Sequence, residues 1–254
     1  MIGKNTIKWV HSLEMKKNRL REGLFVAEGP KVVGDLLGHY RLHTVFATDE
    51  WMNAHGKALQ ADSGQARIEV VDDEQLRRLS FLQHPQQVIA IFHIPDNTDG
   101  GIDLTHQLTL MLDGIQDPGN LGTIIRIADW FAIDHIICSN DTADAYNPKV
   151  VQATMGSLAR VGVHYADLPA LLDSLRGEVE VYGTLLDGTD IYSTPLHPQG
   201  IIIMGNEGKG ISAEVRRHVT RPLLIPNFRH GDGAESLNVA VATAITCSEF
   251  RRNN

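Results

Sequence analysis

Cysteine is nearly missing from this chain: its 254 residues include two, Cys138 and Cys247, each inside an apolar stretch. Two such residues argue against a disulfide framework and a cysteine-built metal site, and the expectation is two buried, reduced thiols. Long apolar runs are missing too, since a stretch such as Gly200 to Gly205 is far too short to cross a bilayer. The opening MIGKNTIKWVHSLEMKKNR has no apolar core of a secretory signal, so a cytoplasmic protein without membrane contact is expected. The twelve histidines form no H-E-x-x-H and meet no C-x-x-C, so no metal is expected. Internal repeats and low-complexity tracts are also absent. Finally, positive charge is scarce: the net charge of −8 weighs mildly against a nucleic-acid partner, because phosphates are held by Lys and Arg.

What is present is the composition of an ordinary globular protein, 43% hydrophobic and 21% charged. The acidic average hides one basic region. Residues 1–22 carry Lys4, Lys8, Lys16, Lys17, Arg19 and Arg21 against Glu14 and Glu22, which fits either a solvated helix face or an RNA contact.

A break is expected at HIPDNTDGGIDL, about residues 93–104, dividing a domain at 1–95 from one at 105–254. The first reads as small α/β, with strands at LFVAEG, HTVFAT, ARIEVVD and VIAIF and helices at KVVGDLLGHY and DEQLRRLS. In the second, short apolar runs (LTLMLDGI, HIICSN, VEVYGTLLDG, GIIIMGN, PLLIP) alternate with helical stretches (LGTIIRIADWFA, NPKVVQATMGSLAR, PALLDSLRG, SAEVRRHV, ESLNVAVATAITCSEFRR). Such alternation implies a mostly parallel sheet covered by helices on both faces, with ligands at the carboxyl ends of its strands.

Three of the strand-to-helix loops are unusual. In LDGIQDPGNLGTIIR, Asp117, Pro118 and Gly119 make a turn, Asn120 is a candidate N-cap, and Arg126 lies off the apolar face of the helix. Arg126 is either paired with an acid such as Asp129 or Asp117, or available for a ligand. IIIMGNEGKGIS brings Gly205, Gly208 and Gly210 directly after a buried strand, in neither Walker nor dinucleotide spacing. In PLLIPNFRHGDGAESLNVAVATAI, Ser236 or Glu235 is the candidate cap, and Asn238 in the first turn requires a particular partner, backbone or ligand.

Taken in order, DPGNLGTIIR, MGNEGKG and IP…ESLNVAVA resemble the three signature motifs of the SpoU family of RNA ribose methyltransferases, within the SPOUT superfamily. ATMGSLARV resembles the family's connecting segment, and IKWVHSL…KKNRLREGLFVAEGPKVV its small substrate-binding domain. The resemblance implies a trefoil knot over roughly Gly205 to Ala244, S-adenosylmethionine as cofactor, RNA as substrate and a homodimer. It assigns cofactor contacts to Thr184, Leu185, Gly205, Glu207, Gly208, Ile225, Ser236, Leu237 and Asn238. Catalysis falls to Arg126 with Asn120, and RNA contacts to Lys16, Lys17, Arg19, Arg21 and Arg229. The loop NFRHGDGA (Asn227 to Ala234) is a few residues longer than the family's pattern.

The implied reaction moves a methyl group to a ribose 2′-hydroxyl, a weak acid whose proton must be removed. A guanidinium is a donor rather than an ordinary general base, so Arg126 is expected to position the hydroxyl and a phosphate and to stabilise developing charge. The N-terminal domain tilts the expected substrate toward ribosomal rather than transfer RNA. Two alternatives stay open: an inactive RNA-binding protein of the same fold, and a nucleotide-dependent metabolic enzyme using the glycine loops for phosphate.

Overall fold

The computed structural model describes residues 2–62, 64, 66–95, 102–175, 177–229 and 236–252. The chain begins with α1 (Lys4–Ser12), α2 (Lys16–Glu22), β1 (Leu24–Glu28), α3 (Pro30–Leu36), β2 (Leu42–Ala47), α4 (Asp49–Asp62), β3 (Arg67–Val70), α5 (Asp73–Leu79) and β4 (Val88–His93). It continues with β5 (Leu108–Asp113), α6 (Pro118–Trp130), β6 (His135–Ser139), α7 (Pro148–Ala153), a 3-10 turn (Ser157–Ala159), β7 (Gly162–Ala166), α8 (Leu168–Ser174), β8 (Val181–Asp190), β9 (Gly200–Gly205), α9 (Ala213–Arg216), β10 (Arg221–Leu224) and α10 (Val239–Arg251). Two compact units result: Met1–Thr98 with Asp144–Ala159, and Asp99–Ala143 with Arg160–Asn254. Within the expected linker, residues 96–101 lie outside the described ones.

The first unit is built on a four-stranded sheet in the order β1-β4-β2-β3, antiparallel except for the β2–β3 pair. Alternation along β1 splits its side chains between two faces. Val26 joins Val10, Leu13, Leu76 and Leu79 in a core under α1 and α5. Phe25 packs oppositely, its ring centroid 4.9 Å from that of Tyr146 and 5.7 Å from that of Phe92. The helix α5 starts as its acidic beginning suggests, with a capping box between Asp72 and Gln75.

NPKVVQATMGSLAR reads as one helix, but the helix ends at Ala153. Met155 and Gly156 both take positive φ (52° and 94°), and a Cβ at Gly156 would lie 2.4 Å from Asp35 Oδ2. Helix cannot pass through two such residues, so the segment resumes only as the 3-10 turn. Helices α1, α2 and α4 and the strand β7 are not among the elements expected individually from the sequence.

Arg19 corrects an expectation. It is not an RNA contact, because its side chain is 1% exposed. Nε donates to Asp144 Oδ2 at 3.0 Å, and Nη1 donates to the carbonyls of Leu13 and Glu14 at 2.8 and 2.7 Å. Nη2 also bonds Asp144. Those carbonyls follow α1, where a helix end leaves acceptors without helical partners, and a buried guanidinium needs all these acceptors to offset its desolvation. Lys16, Lys17 and Arg21 stay exposed, Arg21 bonding Glu22 at 2.8 Å.

The second unit holds six parallel strands in the order β10-β8-β9-β5-β6-β7. Met111, Ile137, Ile201 and Ile203 pack with Leu168, Leu172 and Val215 of α8 and α9. On the opposite side the ring of Tyr182 meets Phe250 of α10 edge-on at 4.8 Å. Helices thus cover both faces, as the alternation implies, and every residue of β5 is buried. β10 pairs with β8 in two registers, Pro222 opposite Gly183 but Leu223 opposite Thr189. The intervening residues of β8 therefore leave the sheet as an arch at its carboxyl end. Cys138 and Cys247 are free and buried, and burial pushes both thiols up, Cys247 to about 12.

Replacing Arg19 by Met would strand the Asp144 carboxylate and two carbonyls. The expected loss is about 3 kcal/mol of unfolding free energy, read by chemical denaturation of the full chain. Lys recovers little, lacking the forked donor. An unchanged midpoint would overturn the role given to this side chain.

Candidate active site

The three unusual loops leave the carboxyl ends of β5, β9 and β10 in the second unit, β5 and β9 adjacent and β10 beyond β8. After β5, Asp117 is the N-cap of α6, accepting the Asn120 amide N–H at 2.8 Å, and Pro118 occupies the first turn. Asn120 is therefore not the cap, as the sequence suggested; it lies inside the first turn. Its side chain is left for a longer-range task. Nδ2 donates to Glu207 Oε1 at 2.8 Å, and Oδ1 accepts from Asn238 Nδ2 at 2.9 Å.

Asn238 exchanges places with it. Its Oδ1 accepts the amide N–H groups of Ala240 and Val241 at 3.0 and 3.3 Å, so Asn238, and not Ser236, caps α10. The expected special partner of its amide proves to be both backbone and Asn120. Glu235, the other candidate cap, lies outside the described residues.

The loop after β9 is organised by Asn206. Its Nδ2 donates to the Gly114 carbonyl at 2.7 Å, and its Oδ1 accepts the N–H groups of Gly208 and Lys209 at 2.9 and 3.0 Å. Backbone bonds in both directions join Asn206 and Gly210, and a Cβ on Gly205 would sit 2.3 Å from the Ile211 nitrogen. Only glycine permits that approach. Asp113, at the end of β5, accepts the Ser212 N–H at 2.7 Å. Neither Asn206 nor Asp113 was singled out from the sequence. Asn206 had one available signal, a polar residue between two glycines directly after a buried strand.

The loops after β9 and β10 and the β8 arch surround a cavity of about 1090 Å³. Of the residues expected at a cofactor, Thr184, Leu185, Gly205, Glu207, Gly208, Ile225, Ser236 and Leu237 line it, as does Arg229. Asn120, Arg126 and Asn238 do not, although the first and last are tied to Glu207 at its rim. Arg126 is exposed on α6 and makes no hydrogen bond or ion pair among the described residues. The acids considered for it are otherwise engaged: Asp129 takes Arg160 at 2.8 Å, and Asp117 caps the helix. Among the described residues no group of three or more His, Cys, Asp or Glu could hold a metal ion, and no helix is long and apolar enough to cross a membrane.

The profile of the SpoU rRNA Methylase family matches residues 107–248, which include all three loops. The chain belongs to this family. The profile of an MRM3-like substrate binding domain matches residues 4–90. Among SpoU relatives, the Bacillus subtilis 23S rRNA (guanosine(2553)-2′-O)-methyltransferase RlmP is 32% identical over 94% of this chain and 93% of its own. A putative TrmH-family RNA methyltransferase structure from Porphyromonas gingivalis superposes over 100% of both chains, with a TM-score of 0.87 and 40% identity. The AdoMet-bound rRNA methyltransferase of Sinorhizobium meliloti gives 0.85 and 28%, covering 100% of this chain and 96% of its own.

In this SpoU chain the Asn206 side chain holds the glycine loop in place. Asn206→Ala removes three bonds at once and is expected to cost about 1–3 kcal/mol in denaturant unfolding. Asn206→Asp keeps the two accepted bonds but sets a carboxylate oxygen against the Gly114 carbonyl, so it too is expected to lose stability. An unchanged midpoint in the Asn206→Ala chain would sink this account of the loop.

Proposed function

We propose that the chain transfers the methyl group of S-adenosylmethionine to a ribose 2′-hydroxyl of ribosomal RNA. The single observation that carries this reading is that the second and third motif loops line one cavity and the first is tied to its rim through the Asn120 amide. The kinship with 23S rRNA 2′-O-methyltransferases over nearly the whole chain supports the substrate.

The residues fit the cofactor. A cavity of about 1090 Å³ is in the size range of sites for ligands of this class. Leu185, Ile225 and Leu237 give it apolar walls for a purine, and the glycine loop gives backbone groups that can be approached closely. Glu207, exposed at the rim, offers a carboxylate to a positively charged ligand. When bound, S-adenosylmethionine supplies an electrophilic methyl group on a sulfonium.

The chain's own contribution is alignment and charge. Arg126 can donate two parallel hydrogen bonds to a phosphate or to the 2′-oxygen, stabilising the negative charge that develops as its proton leaves. Asn120, held from both sides, fixes the start of the helix that carries Arg126. The knot over Gly205 to Ala244, the domain limits at 1–95 and 105–254, and RNA contacts at Lys16, Lys17, Arg21 and Arg229 belong to the same reading. So does a cytoplasmic homodimer, supported by Trp130 on α6 and Val241 on α10, which are 85% and 50% exposed.

Mapping 2′-O-methylation on ribosomal RNA from a strain lacking the protein should reveal one lost ribose methyl, restored by the wild-type chain. No lost methyl would overturn the proposal. Arg126→Ala is expected to lower methyl transfer at least about a hundredfold, while calorimetry finds S-adenosylmethionine binding unchanged. Near-normal turnover in that variant would remove Arg126 from the mechanism.

A further inference from the structure

A second cavity, of about 720 Å³, lies wholly within the first unit. Its walls come from α1, the turn between α3 and β2, the first residues of β2 and β3, and the last residue of β4. Three rings form a continuous surface there. Trp9 and His43 have centroids 5.5 Å apart, and His43 and His93 5.4 Å apart. The Trp9 indole N–H donates to Glu22 Oε2 at 2.6 Å, so what this half-buried side chain has left for a ligand is its π surface.

Two guanidinium groups stand beside the rings. Arg41 is exposed and donates from Nη2 to His93 Nδ1 at 2.9 Å, which makes that nitrogen an acceptor and leaves the ring's other nitrogen to donate. Arg67 is exposed and paired with Glu69. Burial, then the Arg41 charge, holds His93 below the usual histidine range. Burial does the same for His43 against an opposing pull from Glu22. His93 Nδ1 is taken by Arg41 and His43 Nδ1 by the Thr44 hydroxyl at 2.8 Å, so each neutral ring presents its Nε2 edge. The nearby carboxylates are engaged: Glu22 by Trp9 and Arg21, Glu69 by Arg67.

Aromatic faces, neutral imidazole edges and guanidinium groups around one concavity are the chemistry of a splayed-out nucleotide. A base paired within a duplex cannot enter such a hollow, whereas an unstacked one can lie on the rings with its phosphate outside. We infer that this cavity binds one unpaired nucleotide of the RNA substrate, its base stacked on Trp9 with His43 and His93, inclined by 46° and 63° from ring to ring, at its edge, and its phosphate held by Arg41 and Arg67. The assignment rests on the RNA methyltransferase reading above, and it moves the main RNA contact of this unit from the basic face of α2 to the cavity.

The test uses the full chain and an eight-nucleotide RNA of mixed sequence without self-pairing. Trp9→Leu and the exposed Arg41→Gln are each expected to raise its Kd about tenfold, the size of one lost stacking or phosphate contact. Arg41→Gln should also reduce the salt slope of binding by about one. Both variants should raise KM for ribosomal RNA and leave kcat and S-adenosylmethionine affinity unchanged. RNA affinity, salt slope and KM unaltered in the folded Arg41→Gln chain would overturn the inference. So would a free nucleoside monophosphate that binds the cavity as tightly as the octamer, because the site would then serve a small nucleotide. If the wild-type chain methylates no RNA, the functional reading fails on its own, and the octamer measurement still scores the cavity.

Discussion

The amide of Asn120 is the point through which the three loops of the second unit communicate. A primary amide has donors on one side and an acceptor on the other. Donation to Glu207 and acceptance from Asn238 therefore set its orientation uniquely. Each such bond is weak in net terms, about 0.5–1.5 kcal/mol, so it cannot hold the loops in place by itself. It selects among loop positions already limited by buried strand ends. β5 and β9 pair along six residues each and finish at Asp113 and Gly205. From those fixed ends Asp113 reaches the Ser212 amide, and Asn206 reaches back to the Gly114 carbonyl. The parallel sheet supplies positions, the buried polar bonds set the loop paths, and Asn120 adjusts the last few ångströms.

The parallel second unit could be read from its apolar runs because strands buried on both faces must be uniformly apolar, and helices between them must be amphipathic. Local chemistry was harder to read. Asn120 and Asn238 each stand at a helix start, and each was assigned the role of the other. Asp117 outcompetes Asn120 for the cap because Pro118 is suited to the first helical position, which places the cap one residue earlier. Asn238 follows three residues that resemble a capping segment, and only the chain path shows that the helix begins after it. A shift of one to three residues in a helix start exchanges a capping side chain for a free one.

Arg19 was illegible for a different reason. Its neighbours on α2 are charged, and a run of charges reads as a solvated face. Its partner Asp144 is 125 residues away in sequence, in a segment that comes after β6 yet belongs to the first unit. No local pattern reports an ion pair closed over that distance. Asn206 gives no local sign of its role, since its three partners, Gly114, Gly208 and Lys209, are main-chain groups. The cavity lined by Trp9, Arg41, His43, Arg67 and His93 was hidden by dispersal, its residues coming from four separate stretches of the chain.

Burying Arg19 changes the electrostatic argument about RNA. A chain of net charge −8 with a basic N-terminal helix invites the view that binding is driven by that helix's general positive field. With Arg19 committed to Asp144 and Arg21 to Glu22, that field is reduced to the exposed Lys4, Lys8, Lys16 and Lys17. A few well-placed groups then add to it, and such groups work best where solvent is partly excluded and aromatic faces add a term that salt does not screen. Arg126 in the second unit follows the same economy, since it stands without an acid partner among the described residues while Asp129 is taken up by Arg160. Holding one guanidinium unpaired in an acidic protein requires that carboxylates within its reach be occupied by other groups, and on α6 the Arg160–Asp129 pair does that.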